Sequence, residues 1–233
     1  MRMAGKGGVL AVALVAAAAG GVCGQKPAPA EKTPAAKAAA KASVPVKFLL
    51  EYQGQGDSDV RNDPQFVPLL ERALPQRQSF EYGMTLAKTI QYYLGVGSGR
   101  VTVDDGRYAV VTGCVPHLCD TSQGFLWVDT QSAPANVLFV AIDPMAGSQA
   151  EGSTASYHLW IFGSLLLHAD SDHLDALPDD FIKTLQQEVG ELPVASATFV
   201  EPNGAQIPLL PQQSLHLGQA AQSGQSGSLK GSQ

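Results

Sequence analysis

Polar and apolar positions alternate most clearly in RVTVDDGRYAVVTGC, residues 100–114, where two runs of period two flank Asp105 and Gly106. Asp and Gly tolerate the positive backbone dihedrals of a two-residue turn, so this stretch predicts a tight antiparallel hairpin. QGFLWVDT and NVLFVAID, on either side of SAPA, predict two further strands, and SYHLWIFG one more. Near the start, VKFLLEY sets Val46, Phe48, Leu50 and Tyr52 at alternate positions and predicts a strand with one buried face.

Three stretches change period. NDPQFVPLLERALP predicts a short helix, with Asp63 placed to cap it and Pro64 in the first turn, where no amide partner is needed; Pro68 limits its regularity. FEYGMTLAKTIQYYL, residues 80–94, carries Leu86, Ile90 and Tyr93 as a helical stripe, although its aromatic and branched residues also suit a strand; the helix is preferred. LPDDFIKTLQQEVGE offers Asp179 and Asp180 as caps and Phe181, Leu185 and Val189 as the apolar face of a helix laid on a sheet. The fold expected is α+β: an antiparallel sheet of about five strands with helices packed on one face.

Composition divides the chain. Residues 1–24, MRMAGKGGVLAVALVAAAAGGVCG, join two early cations to an apolar run that ends in small residues, the pattern of a secretory signal peptide and too short to span a bilayer. Residues 25–43, rich in Ala, Lys and Pro, have no large apolar residue to bury and read as a linker. Residues 44–202 are long enough for one ordinary core, and 203–233, rich in Gln, Ser and Gly, read as a disordered tail. Export predicts a periplasmic location and removes Cys23, unless that residue is lipidated; lipidation is the one route to a membrane anchor, and Val22 disfavours it. Cys114 and Cys119 are then the one pair in an oxidising compartment and predict a single disulfide. Residues 44–233 hold nine Lys or Arg against twenty Asp or Glu, a net −11, which repels nucleic acid and steers basic partners, although solubility alone accounts for such a balance.

The chemistry concentrates in GCVPHLCD, residues 113–120, between the strands YAVVTG and QGFLWV. A bridge there closes the end of a hairpin. In the loop-entropy model so short a ring contributes only about 2 kcal/mol, so local rigidity explains its placement better than global stability. Pro116 fixes a further dihedral, and His117 is offered from a pre-ordered tip with little entropy left to lose on binding. Other chemistry fits less well. Cys, His and Cys within six residues wrap a tetrahedral zinc poorly, and the spacing is not the C-x-x-C of a redox centre. A nucleophilic cysteine with His117 as base needs a free thiol. The chain predicts no metal, no cofactor and no catalytic residue. A stapled turn whose histidine merely faces water stays open.

GCVPHLC, with RYAVVTG before it and SQGFLWVDTQSAPANVLFVAID after it, resembles the inhibitor of vertebrate lysozyme (Ivy) family, which carries a Cys-x-Pro-His-x-Cys loop between two such strands. The likeness is good over residues 100–143, extends to the helix near 64–74, and is poor from 165 onward. It implies a periplasmic protein inhibitor, not an enzyme, often dimeric as a homodimer, whose loop enters the cleft of a basic animal c-type lysozyme. On that resemblance His117 is the inhibitory plug, Cys114 and Cys119 clamp the loop, Pro116 shapes it, and Val115 and Leu118 flank it. Some members carry Lys after the first cysteine and Asp after the histidine; Val115 and Leu118 replace them here, which removes polar rim contacts. The alternative is a periplasmic binding or scaffold module that recognises endogenous wall enzymes such as lytic transglycosylases.

Remaining features read plainly. HADSDHLD, residues 168–175, misses the ligand order and glycine of a calcium loop and reads as a solvated acidic connection. GVGSGR, residues 95–100, lacks the flanking strand and helix of a phosphate cradle and reads as a flexible turn. His158 is expected to be paired or exposed, His216 to lie in the tail, and Asp120 to be solvated. Phe125, Trp127, Phe139 and Trp160 read as core or dimer-interface residues.

Overall fold

The computed structural model describes residues 45–75, 79–80, 83–146, 155–164 and 177–217. The expected signal peptide and linker, Cys23, and the acidic 168–175 stretch lie outside the described residues.

A 3-10 turn, Lys47–Tyr52, precedes α1 (Asp57–Arg61), α2 (Phe66–Ala73), the short hairpin β1 (Ser79–Phe80) and β2 (Met84–Thr85), and α3 (Leu86–Tyr93). The main sheet follows as β3 (Val101–Asp104), β4 (Tyr108–Cys114), β5 (Gln123–Asp129), β6 (Asn136–Pro144) and β7 (Tyr157–Gly163). Helix α4 (Asp179–Val189) then leads to β8 (Val194–Val200), β9 (Gln206–Leu209) and α5 (Pro211–Ser214). The seven strands lie side by side in chain order. All neighbours are antiparallel except β7 and β8, which run parallel. A parallel pair needs a long crossover, and α4 lies within it.

The α+β expectation holds, with three corrections. The sheet has seven strands, not about five, and is mixed rather than wholly antiparallel. Helices also cover both faces. Val111, Leu126, Val128, Phe139 and Ala141 point to one side and pack with Leu69 and Leu70 of α2 and Leu86 and Ile90 of α3. Their strand neighbours Val110, Phe125, Trp127, Leu138 and Val140 point to the other, against Phe181, Leu185 and Val189 of α4. A strand buried on both sides loses its polar alternation, which is why FLWV and VLFVAI read as continuous apolar runs. Phe125, Trp127 and Phe139 are thus core residues.

Two local expectations fail for physical reasons. VKFLLEY forms the 3-10 turn, not a strand: Val46, Phe48 and Leu49 are the buried positions, a spacing that suits a tight helical turn, and the Leu49 amide donates to the Val46 carbonyl at 3.1 Å. The ordered chain also continues past residue 202. β9 adds to β8 through Ala197↔Leu209 to Val200↔Gln206, and Leu209, Leu215 and Leu217 are buried in the second core. Polar composition hid these three leucines, and His216 sits between two of them with φ 52°.

The β3–β4 turn is as read, with Asp105 at φ 53° and Gly106 at 62°. Beside it Arg107 grips Asp129 bidentately, Nε to Oδ1 at 2.8 Å and Nη2 to Oδ2 at 2.7 Å, and fixes the end of β5 farthest from the cysteines. No helix among the described residues is long and apolar enough to cross a membrane.

Candidate functional site

β4 ends on Cys114, which pairs with Gln123 at the start of β5. Between them the chain makes a closed corner. The Leu118 amide donates to the Val115 carbonyl at 2.9 Å, which makes residues 115–118 a β-turn. Pro116 occupies its second position and His117, at φ 65°, its third, the arrangement of a type II turn. That third position ordinarily takes Gly or Asn, since a Cβ there is strained. Here it holds an imidazole that is exposed to solvent. The Cys114–Cys119 disulfide closes the ring, and the Val115 amide donates to Ser122 at 3.0 Å to zip its base.

The six ring residues therefore divide. Cys114 and Val115 are each 3% exposed and belong to the base, not the surface, so Val115 cannot be a rim residue. His117 and Leu118 form the tip, with Leu118 46% exposed. Asp120 is exposed, as expected of a solvated carboxylate.

Under the ring lies a brace that the sequence reading missed. Residues 95–99 are a fitted platform, not a flexible turn. A Cβ on Gly95 would lie 2.7 Å from the Tyr92 carbonyl oxygen and 3.2 Å from the Pro116 ring, and one on Gly99 would lie 1.8 Å from the Thr112 carbonyl oxygen, so both positions need the bare backbone. Ser98 Oγ rests 3.0 Å from Cys114 Sγ and 3.8 Å from Cys119 Sγ. The platform is held from below by α1: the Gly97 amide donates to Asp57 Oδ2 at 3.2 Å, the Asp57 amide to the Gly99 carbonyl at 3.3 Å, and Arg61 Nη2 to the Gly95 carbonyl at 3.2 Å. Asp57 is fully buried, and its Oδ1 has no hydrogen-bond partner among the described residues. The signal was the glycine spacing, which marks close backbone approach as readily as flexibility.

A second polar row runs across the same sheet end. The Tyr93 hydroxyl lies 2.7 and 2.6 Å from the two Asp143 oxygens, and Ser122 also donates to that carboxylate. Burial pushes the Asp143 carboxyl above its usual range, partly offset by these two donors and by His158. His158, opposite Asp143 on β7, is pushed below its ordinary value by burial, against the pull of Asp143. Its Nδ1 meets Ser196 Oγ at 2.6 Å, so it is paired as expected. Its Nε2 has no hydrogen-bond partner among the described residues. Among the described residues no three His, Cys, Asp or Glu side chains converge on a metal position.

Fold and loop together define an α+β domain whose distinctive chemistry sits on a braced, disulfide-closed hairpin tip rather than in a cavity. The family model for the inhibitor of vertebrate lysozyme (Ivy) matches residues 87–156. That span runs from α3 through the platform, the stapled loop and β6, so it contains the ring and most of what supports it. The resemblance read from GCVPHLC is thus shown over this part of the chain, and the family is one of lysozyme inhibitors. No curated protein and no solved structure matches.

Proposed function

We propose that this protein inhibits lysozyme by seating His117 in the sugar-binding cleft. The observation that carries the reading is an exposed histidine held at a positive φ on a stapled turn, inside the matched span. Glycine would relieve that strain, so a retained imidazole points to a task for the side chain. Retaining glycosidases work with two carboxyl groups about 5 Å apart, one protonated and one ionised. An imidazole between them donates to the ionised oxygen and, as imidazolium, pairs with both. No room is left for substrate. The ring, the Pro116 corner and the platform order the tip before the encounter, so little entropy is lost on docking. The protein supplies no catalytic group; its partner's chemistry is blocked.

The rest of the reading belongs with it: a periplasmic, exported domain, favoured by the disulfide, with a basic animal c-type lysozyme as partner, drawn in by the net −11 of residues 44–233. Leu118, apolar where some family members carry Asp, favours a second reading in which the same tip binds the bacterium's own wall enzymes, such as lytic transglycosylases. A cell-wall clearing assay with the mature, oxidised protein decides. Lysis of cell walls by an animal lysozyme should fall at stoichiometric inhibitor and return with His117→Ala. Full lysis in excess inhibitor, with retention of a transglycosylase from periplasmic extract, supports the second reading.

A further inference from the structure

The two sulfurs of the ring have unlike surroundings. Cys114, the last residue of β4, is 3% exposed and lies in the base. Cys119 is half-buried and stands between the exposed Leu118 and Asp120. Ser98 Oγ, on the platform, is 3.0 Å from Cys114 Sγ and 3.8 Å from Cys119 Sγ. A disulfide sulfur carries no proton, so the hydroxyl is the donor, and Cys114 is its nearer acceptor. Cys119 Sγ has instead the Val115 carbonyl oxygen at 3.8 Å, an acceptor that opposes negative charge on the sulfur. In thiol–disulfide exchange the attacked sulfur must be accessible, and the departing sulfur leaves as a thiolate, faster when that charge is stabilised. Accessibility favours attack at Cys119, and the hydroxyl favours departure of Cys114.

We infer that Cys119 is the site at which an external thiol opens the ring, with Ser98 stabilising the departing Cys114. The incoming thiolate attacks Cys119 Sγ and forms a mixed disulfide there. The bond between the two ring sulfurs breaks, its electron pair stays on Cys114 Sγ, and the Ser98 hydroxyl donates to the new anion. Cys114 then takes a proton from water. A second thiol attacks the outer sulfur of the adduct, is joined to the first as a disulfide, and releases Cys119, which is protonated in turn. The protein is the substrate of this exchange, not its catalyst, and the co-reactant is a thiol. Opening leaves the Leu118 amide on the Val115 carbonyl but removes the closure around His117, the residue held at φ 65°. On the proposed function the same step unclamps the plug; the exchange site itself does not depend on that reading.

The test uses the oxidised full chain carrying Cys23→Ser, so that the ring holds its only cysteines. Glutathione is added, free thiols are blocked with iodoacetamide after short intervals, and peptide mass mapping locates both labels. Glutathione should appear on Cys119 and the alkyl group on Cys114. Ser98→Ala should slow opening about fivefold, as expected when one hydrogen bond to a forming charge is lost, and Ser98→Thr, which keeps a hydroxyl, should restore the rate. Thermal unfolding checks that each variant is folded. Glutathione on Cys114, equal labelling of the two sulfurs, no adduct at all, or a Ser98→Ala chain that opens at the wild-type rate overturns the inference. None of these readouts involves lysozyme, so a wild type that fails to inhibit lysis overturns the proposed function and leaves the exchange site standing.

Discussion

His117 carries the account at the scale of the single residue, because its backbone and its side chain make opposite demands. A φ of 65° favours glycine, whereas the proposed occlusion of a cleft needs an imidazole. His117→Gly is therefore expected to keep or raise stability by about 0.5–1 kcal/mol while it abolishes inhibition; chemical denaturation together with a lysis assay reads both. A loss of stability on that change would show that the imidazole holds the loop together. Gly99 makes the reverse demand. Its absent Cβ leaves room for the Thr112 carbonyl, so Gly99→Ala must displace the platform from β4. The variant should unfold at clearly lower temperature and bind more weakly. The GVGSGR glycines were visible in the sequence, but spacing alone does not separate a loose turn from a close approach, and only packing made the distinction.

Among the elements, the β4–β5 hairpin works because α1 and α3 lie against its mouth. Gly113 and Gly124 let α3 approach so closely that a Cβ on Gly113 would stand 2.7 Å from the Leu94 Cα. α1 then reaches over the platform through Asp57. Asp57→Ala removes the acceptor for the Gly97 amide, and hydrogen exchange of the amides of residues 95–99 and 115–122 should speed up with the sheet centre unchanged. Unaltered exchange there would mean that the ring is rigid without its brace. The hairpins, α4 and the ring were legible because turn chemistry and apolar period are local. The 3-10 turn, the coverage of both sheet faces by helices, and β9 were not. Short apolar runs do not reveal their period, and a strand that completes a sheet edge needs only a few apolar residues within polar sequence.

At the scale of the whole molecule, two half-buried titratable groups, Asp143 and His158, face each other across β6 and β7 and contribute to the response to acid. The folded-state value of His158 lies below the ordinary 6.5, so its contribution to stability is intact above about pH 6.5 and is lost as pH falls through the folded value. Asp143, raised by burial, acts in the opposite sense: its contribution is present when it is protonated and is lost as pH rises through its folded value. Denaturant unfolding of wild type and His158→Gln between pH 7.5 and 5 should therefore diverge below about 6.5, with the wild type losing more. Parallel curves would place the imidazole in ordinary solvent. The net charge governs approach rather than fold, so association with a basic lysozyme should slow with added salt while dissociation changes little.

Whether a single stapled imidazole blocks a lysozyme cleft, as proposed, is decided by one paired inhibition curve. Lysis of cell walls by a basic animal lysozyme is followed against rising concentrations of the oxidised wild-type protein and of His117→Ala. Stoichiometric inhibition is expected from the first and, at equal folded concentration, little or none from the second. Equal inhibition by the two, or none by the wild type, would contradict the proposal.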